Sequence, residues 1–375
     1  MHGELSRRTL LASGLAAAAV RRSVGQSDEA GHPPRVGVIG LGNRSGRHLH
    51  ALGELREVEV VALSDIQSDR MRAARQGPAA NAEMYTDYRE LIADSRVQAV
   101  TVATPNNLHA EMAIAALRAG KDVLLEKPIG LNYEEALAVA AAARETGRTL
   151  AIGMQRYFKV AYRKIIEAVN SGAIGTPYLF SLNEYRGDWN PRTWRWPDPQ
   201  TGKTTPWRHL RAMAGSSLLE FSVHSYALLY EMIGQPLTFC AATGGAVHWP
   251  ERSTEDNISV IAEFGDIRLQ HTYSGSAPGA EWAMTITGSK GSLQYDFRTA
   301  TIRAIGSEPQ ELDLGPARRE GFSMEAEMYR DFFSAIRRGA EPALNAQFAI
   351  EASKIAYAAW TSIDERRIVT DKDYP

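Results

Sequence analysis

The chain has a single cysteine, Cys240, among 375 residues. One thiol can neither close an intramolecular disulfide nor build a thiolate metal site, so neither device can staple this fold. An excess of one charge is also missing. The 42 Lys and Arg against 44 Asp and Glu leave a formal net charge of −2, with no long run of like charges and no basic stripe. That argues against nucleic acid as a partner, because nucleic acid selects a positive footprint. Histidines do not fall at metal-ligand spacing either: His48 and His50 are two apart and point to different helix faces. Long apolar runs are absent; the best candidate has about 10 residues, half of the ~20 that a bilayer requires. What is present, 44% hydrophobic and 23% charged residues, is ordinary globular composition at a length that suggests two domains.

That short apolar stretch lies at the N-terminus. Ser6 to Val20, SRRTLLASGLAAAAV, places Arg7 and Arg8 directly ahead of it, which looks like a twin-arginine export signal. The leader is expected at residues 1–27, with cleavage after Ser23-Val24-Gly25 and a polar linker at 28–34. Removing the first 25 residues takes away four Arg and one Glu, which shifts the net charge from −2 to −5. Resemblance to twin-arginine substrates implies the export machinery as a partner and a periplasmic or extracytoplasmic destination. It also implies export in the folded state, often with cofactor already bound. The alternative is a basic, Ala-rich tail with no export role.

Between residues 35 and 154 short apolar runs alternate with helical segments: RVGVIG, VEVVALSD, VQAVTVATP, DVLLEK and TLAIGM are the strands. This is the pattern of βαβ units on a parallel sheet. Gly40-Leu41-Gly42 lies at the first strand-to-helix turn, where glycines permit a tight turn and let a pyrophosphate approach the helix N-terminus. The third fingerprint position is Ser45, small enough for close helix–strand packing, with Gly46 after it. Asp65 follows Gly42 by 23 residues, at the end of the second strand. An acid there suits two ribose hydroxyls and disfavours a 2′-phosphate, so NAD is expected over NADP, although Arg70 is close by.

DVLLEKPIG, Asp122 to Gly130, raises a separate question, because a buried strand ends there on Glu126-Lys127-Pro128. Lys is among the residues least often buried, so its position at the tip of a core strand needs a chemical reason. Together with RVGVIGLGNRSGRH, with VATPNNLHAEMAIAALRAGK and with IGMQRYF, this stretch resembles the Gfo/Idh/MocA oxidoreductases. The match runs from Arg35 to about Tyr185 and more weakly onward. The resemblance implies that Lys127 sits by the nicotinamide and the reacting carbinol, with a depressed pKa, and that Glu126 holds the Lys and the local backbone. It implies cofactor contacts at Gly40, Gly42, Asn43, Arg44, Ser45, Asp65, Thr104, Pro105, Asn106, His109, Glu126, Lys127 and Gln155. For His109 a structural, helix-capping role is the stronger alternative.

The pattern changes beyond Lys159. A helix leads into PYLFSLNEYRG, followed by further strand candidates from LTFCAATGG to ATIRAIG and by two closing helices. The expected fold class is therefore an α/β Rossmann domain at 35–154 with a parallel sheet. It is joined to an α+β C-terminal domain at 155–375 with a large, mostly antiparallel open sheet, its last helices packing back toward the Rossmann domain. The resemblance further implies a homodimer or homotetramer.

Within SSLLEFSVHSYALLYEMIG, Glu220 and His224 are four apart and share one face of the expected helix. By carry-over from the family, His224 is the acid or base for the substrate proton and Lys127 assists. Glu220 stands where the family usually has Asp, and would bind a sugar hydroxyl or orient the histidine. Upstream, a loop holds four of the seven Trp (Trp189, Trp194, Trp196, Trp207) and five Arg (Arg186, Arg192, Arg195, Arg208, Arg211). Indole faces can stack on a pyranose and Arg forks can hold hydroxyls or a carboxylate, so Tyr185, Arg186, Trp194 and Trp207 are candidate substrate contacts. A packing or subunit-interface loop is the alternative.

The function implied is NAD-dependent hydride transfer at a secondary hydroxyl of a sugar, glycoside or cyclitol. Free NAD is scarce outside the cytoplasm, so an exported enzyme should keep its cofactor tightly bound and recycle it. A redox-neutral NAD-dependent glycosidase on the same scaffold is the alternative. A sugar-binding or nucleotide-binding relative without activity is a third reading.

Overall fold

The computed structural model describes residues 34–187, 195–197, 202–316 and 323–374. The leader expected at residues 1–27, Trp189, Arg192 and Trp194 all lie outside them. Six parallel strands form the first sheet: β1 (Arg35–Ile39), β2 (Glu59–Ser64), β3 (Glu83–Tyr85), β4 (Ala99–Val102), β5 (Asp122–Glu126) and β6 (Leu150–Gly153). Their order is β3-β2-β1-β4-β5-β6. Strands covered on both faces read as near-continuous apolar runs; β1 and β5 do between their ends, and β4 does apart from the buried Thr101. The three-residue β3 escapes sequence reading because EMY is too short for any period. Strand order reverses between β1 and β4, and in such sheets ligands bind outside the carboxyl ends of the strands at that point. Gly40 and Thr104 stand there.

The second sheet has nine strands, centred on β7 (Pro177–Arg186). β7 pairs antiparallel with Ala280–Gly288 and parallel with Ile267–Ser274, so the sheet is mixed although mostly antiparallel. Along β7 burial alternates: Phe180, Leu182 and Glu184 are buried, and the residues between them are more exposed. One face of the sheet is therefore covered, and strand periodicity of two puts Tyr185 on the other. The covering layer includes the helices Val223–Ile233 and Ala346–Glu365, which also pack on each other.

The helix Met324–Arg338 comes late in the chain but completes the core of the first domain. Ser323 caps it by accepting from the Ala326 N–H at 3.2 Å, and Gly339 ends it in the left-handed conformation. Its Tyr329, Phe332 and Phe333 pack with Val36, Val38, Leu41 and Leu52. At roughly 1.5–3 kcal/mol for each large side chain buried, this face ties the chain's end to the glycine turn.

Candidate active site

A cavity of about 680 Å³ opens along the carboxyl ends of β1, β2, β4 and β5 and is closed by residues of the second domain. That volume suits a cofactor together with a small substrate. Strand order arranges its walls: Asp65 and Arg70 follow β2, Gly40 and Gly42 follow β1, Thr104 to Asn106 follow β4, and Lys127 follows β5. Arg156 comes after β6, and Arg186, Trp207, Arg208, Glu220 and His224 complete the far end.

At the near end the backbone itself forms the surface. Gly40 has φ +86°, and a Cβ there would stand 2.8 Å from the carbonyl of Ala103, so only glycine fits. At Gly42 a Cβ would meet no protein atom within 4 Å and would fill open space instead. Asp65 braces this turn, one carboxylate oxygen accepting from the Leu41 N–H and the other from the Gln67 N–H, both at 2.8 Å. The Thr104 hydroxyl is buried in the same wall without a hydrogen-bond partner. A glycine cradle, a carboxylate and an unpartnered hydroxyl fit a dinucleotide.

Several residues expected to touch the cofactor are otherwise engaged. Ser45 does not line the cavity; its hydroxyl donates to the Gly42 carbonyl at 2.6 Å and supports the turn from behind. Arg44 lines the cavity, but its guanidinium donates to Glu126 Oε1 at 2.6 Å and to Glu325 Oε1 at 2.8 Å. His109 places its Nδ1 2.8 Å from the Pro128 carbonyl and its Nε2 3.0 Å from that of Thr104. Burial holds its pKa below the usual imidazole range despite those two acceptors. It clamps two loops together, which is the structural alternative. Asn43, Pro105 and Gln155 line the cavity, and the Gln155 side-chain oxygen is buried without a partner.

Glu126 was expected to hold Lys127, and it keeps only the Lys127 backbone N–H, at 3.3 Å. Its side chain instead takes Arg44 and, at 2.9 Å, His48 Nε2. Burial pushes its carboxyl upward, but Arg44 and His48 outweigh burial and hold it well below the carboxylate range. His48 in turn reaches the Tyr329 hydroxyl at 3.0 Å, so this cluster joins β5 to the late helix.

The partner of the Lys127 ammonium is Glu220. Nζ donates to the Glu220 backbone carbonyl at 2.8 Å and faces its Oε2 at 3.1 Å. An ammonium has three N–H bonds, so one remains for a ligand. Burial lowers the Lys127 pKa, Glu220 opposes that, and Arg208 adds to it; the result is below the ordinary value. Glu220 is consequently neither a free sugar contact nor an orienter of His224. Its Oε1 accepts from Arg208 Nε at 2.8 Å and its Oε2 from Asn106 Nδ2 at 2.9 Å. The reason lies in the local backbone, because Leu218–Ser222 is a turn of π-helix ahead of the α-helix Val223–Ile233. π-Turns are frequent at functional sites and are invisible to a 3.6-residue period.

His224 lines the cavity with its Nδ1 buried and unpartnered. Burial, with Arg156 and Lys127 adding to it, holds its pKa well below the imidazole range, so the ring is neutral near pH 7. Trp207 lines the same end, with the Arg208 guanidinium 4.6 Å above its ring. Arg186 is also in the wall, donating to the Phe221 carbonyl at 3.2 Å. Tyr185 is not: it points to the opposite face of β7, and the substrate role expected of it is not supported. Arg156 was not singled out by sequence reading, although it lies within IGMQRYF, one of the stretches that carry the family resemblance.

Comparison with known proteins agrees with this architecture. Residues 34–154 match the model of the Gfo/Idh/MocA oxidoreductase family NAD-binding Rossmann fold, and residues 162–294 match that of the Gfo/Idh/MocA C-terminal domain. The chain is 27% identical to myo-inositol 2-dehydrogenase of Thermotoga maritima over 348 residues, covering 89% of this chain and 98% of that protein. It is 28% identical to 1,5-anhydro-D-fructose reductase of Ensifer adhaerens over 302 residues, 76% of this chain and 82% of that one. The fold superimposes on aldose–aldose oxidoreductase of Caulobacter crescentus with a TM-score of 0.77 at 21% identity, over 90% of this chain and all of that one. The chain belongs to the Gfo/Idh/MocA family of NAD-binding oxidoreductases.

Proposed function

We propose that this protein oxidises a secondary hydroxyl of a sugar, glycoside or cyclitol, and catalyses the reverse reduction, with an NAD that it retains through export. The observation that carries this reading is the pairing, at one end of a single cavity, of a Lys127 with one uncommitted N–H and a neutral, unpartnered His224. Gly40, Gly42, Asp65 and Thr104 would hold NAD, which when bound supplies the hydride acceptor. The remaining chemistry belongs to the chain. His224 accepts the hydroxyl proton, which its depressed pKa allows near neutral pH. Lys127 holds the same oxygen and stabilises the charge that develops on it. Glu220, fixed by Arg208 and Asn106, keeps the ammonium in place, so the oxygen enters a preset geometry. The sequence relatives that act on inositol and anhydrofructose support a cyclic polyol as substrate.

Tight retention follows if the N-terminal stretch Ser6 to Val20 is an export leader, because the nicotinamide would then have to leave the cytoplasm with the protein. The test is to purify the folded protein without added cofactor, denature it, and identify released nucleotides by mass spectrometry. About one NAD(H) per chain is expected by that reading. Protein without nucleotide that also binds NAD only weakly would contradict retention. Release of a glycoside's leaving group with no net change in nicotinamide would move the assignment to a redox-neutral glycosidase.

A further inference from the structure

The far end of the cavity carries more positive charge than the proposed reaction needs. Among the described residues lining it are Lys127, Arg156, Arg186 and Arg208, against the carboxylates of Glu220 and of Glu126, the latter already taken by Arg44 and His48. The Glu220 carboxylate is already shared by Lys127 and Arg208. Arg186 faces Glu184 at 3.4 Å, but Glu184 lies buried behind the wall and is engaged by Ser222, Ser225 and Trp282. Arg156 has no carboxylate partner among the described residues, and its Nη1 is buried without a hydrogen bond. Its guanidinium rests 5.4 Å from the Phe297 ring, whose face is a weak substitute for an anion. The Arg156 side chain is half-buried, and leaving its one buried N–H without an acceptor is costly unless a ligand completes it.

NAD phosphates do not account for Arg156. It follows β6, three strands from the glycine turn of β1 in the sheet order. At about 4.8 Å between strands this is about 14 Å along the sheet. The pyrophosphate belongs at β1, whereas Arg156 is the leading cation acting on His224 and so lies by the reacting end.

We infer that the substrate is an acidic sugar, a uronic acid whose carboxylate is bound by Arg156 and Arg186 while Lys127 and His224 act on a ring hydroxyl. This rests on the oxidoreductase reading above and narrows its substrate class. A carboxylate suits the planar guanidinium fork, which can engage two oxygens at once.

The experiment measures equilibrium binding to NAD-loaded protein, by calorimetry, of glucuronate, glucose and glucose 6-phosphate, with NADH formation followed in parallel. Glucuronate is expected to bind at least about tenfold more tightly than glucose, the worth of one charge-assisted hydrogen bond. Arg156→Gln should abolish that preference while glucose affinity changes by less than about threefold, and Arg156→Lys should keep part of it. Equal affinity for glucose and glucuronate would overturn the inference, as would a preference that survives Arg156→Gln. Tighter binding of glucose 6-phosphate than of glucuronate would overturn the carboxylate assignment. The wild-type panel decides these arms even if a variant does not fold. Preferential glucuronate binding without NADH formation would sustain the anion site and sink the oxidoreductase reading; oxidation of neutral sugars without charge preference would do the reverse.

Discussion

The two ends of the cavity are built by different means. The near end is local: a strand, two glycines and a helix N-terminus, braced by an aspartate on the adjacent strand. The far end is assembled over long separations, with Lys127 and Glu220 93 residues apart and Asn106 and Glu220 114 apart. The near end presents mostly backbone, the far end only side chains. Backbone geometry survives most substitutions, whereas a side-chain constellation fails when a single member is lost. Cofactor binding and turnover should therefore separate under mutation.

The largest separation is expected from Lys127→Met. Turnover should fall by about 100- to 10,000-fold, the usual contribution of acid–base catalysis, while NAD affinity measured by fluorescence titration stays within a few-fold. Comparable loss of both would erase the distinction between the ends. Gly40→Ala attacks the other end. With φ +86° and the Ala103 carbonyl in the way, it should cost roughly 1–3 kcal/mol of stability in thermal unfolding and weaken NAD binding. Gly42→Ala sharpens the contrast. Its Cβ touches nothing in the protein, so apo stability should stay within about 0.5 kcal/mol. Because that methyl enters the cradle, NAD affinity should still fall by about tenfold or more. Lost apo stability would mean the open space is not where the cofactor lies.

The smallest effect is in pH dependence. His224 is neutral when folded and free to protonate when unfolded, so below about pH 6.5 the unfolded chain binds the extra proton. Stability should be fully present above that pH and decline as pH falls toward the depressed folded value. In denaturant titrations His224→Asn should show a shallower decline, by up to one proton, with the remainder owed partly to His109. An unchanged slope would show that His224 protonates in the folded state, which would disqualify it as a neutral base.

The legibility of the sequence follows the same division. Both sheets, the glycine turn and Asp65 could be read because strand periodicity, positive-φ glycine and motif spacing are properties of neighbours in the chain. Lys127 could be read through its Glu-Lys-Pro setting. The partner of Lys127 could not: Glu126 adjoins it in sequence, yet its carboxylate turns to Arg44 and His48. Glu220 was placed on the right segment, but the π-turn rotates it to Lys127 and away from His224. Tyr185 and Arg186 look equivalent in a loop full of aromatics and arginines. Only the pleat of β7 separates them, sending Arg186 into the cavity and Tyr185 out of it. Arg156 lies in the IGMQRYF stretch, but its lack of a carboxylate partner had no signal in the sequence, because that is defined by what the fold leaves beside it.

The central claim is that Lys127 and His224 act on a hydroxyl whose carbon gives up its hydride to NAD. The most direct measurement supplies a cyclic polyol or uronic acid deuterated at the ring carbinol carbons and analyses the cofactor by mass spectrometry. The account predicts one deuterium on the nicotinamide with wild-type protein and its near-absence with Lys127→Met at equal cofactor occupancy. Unlabelled cofactor in the presence of consumed substrate, or equal labelling by both proteins, would contradict it.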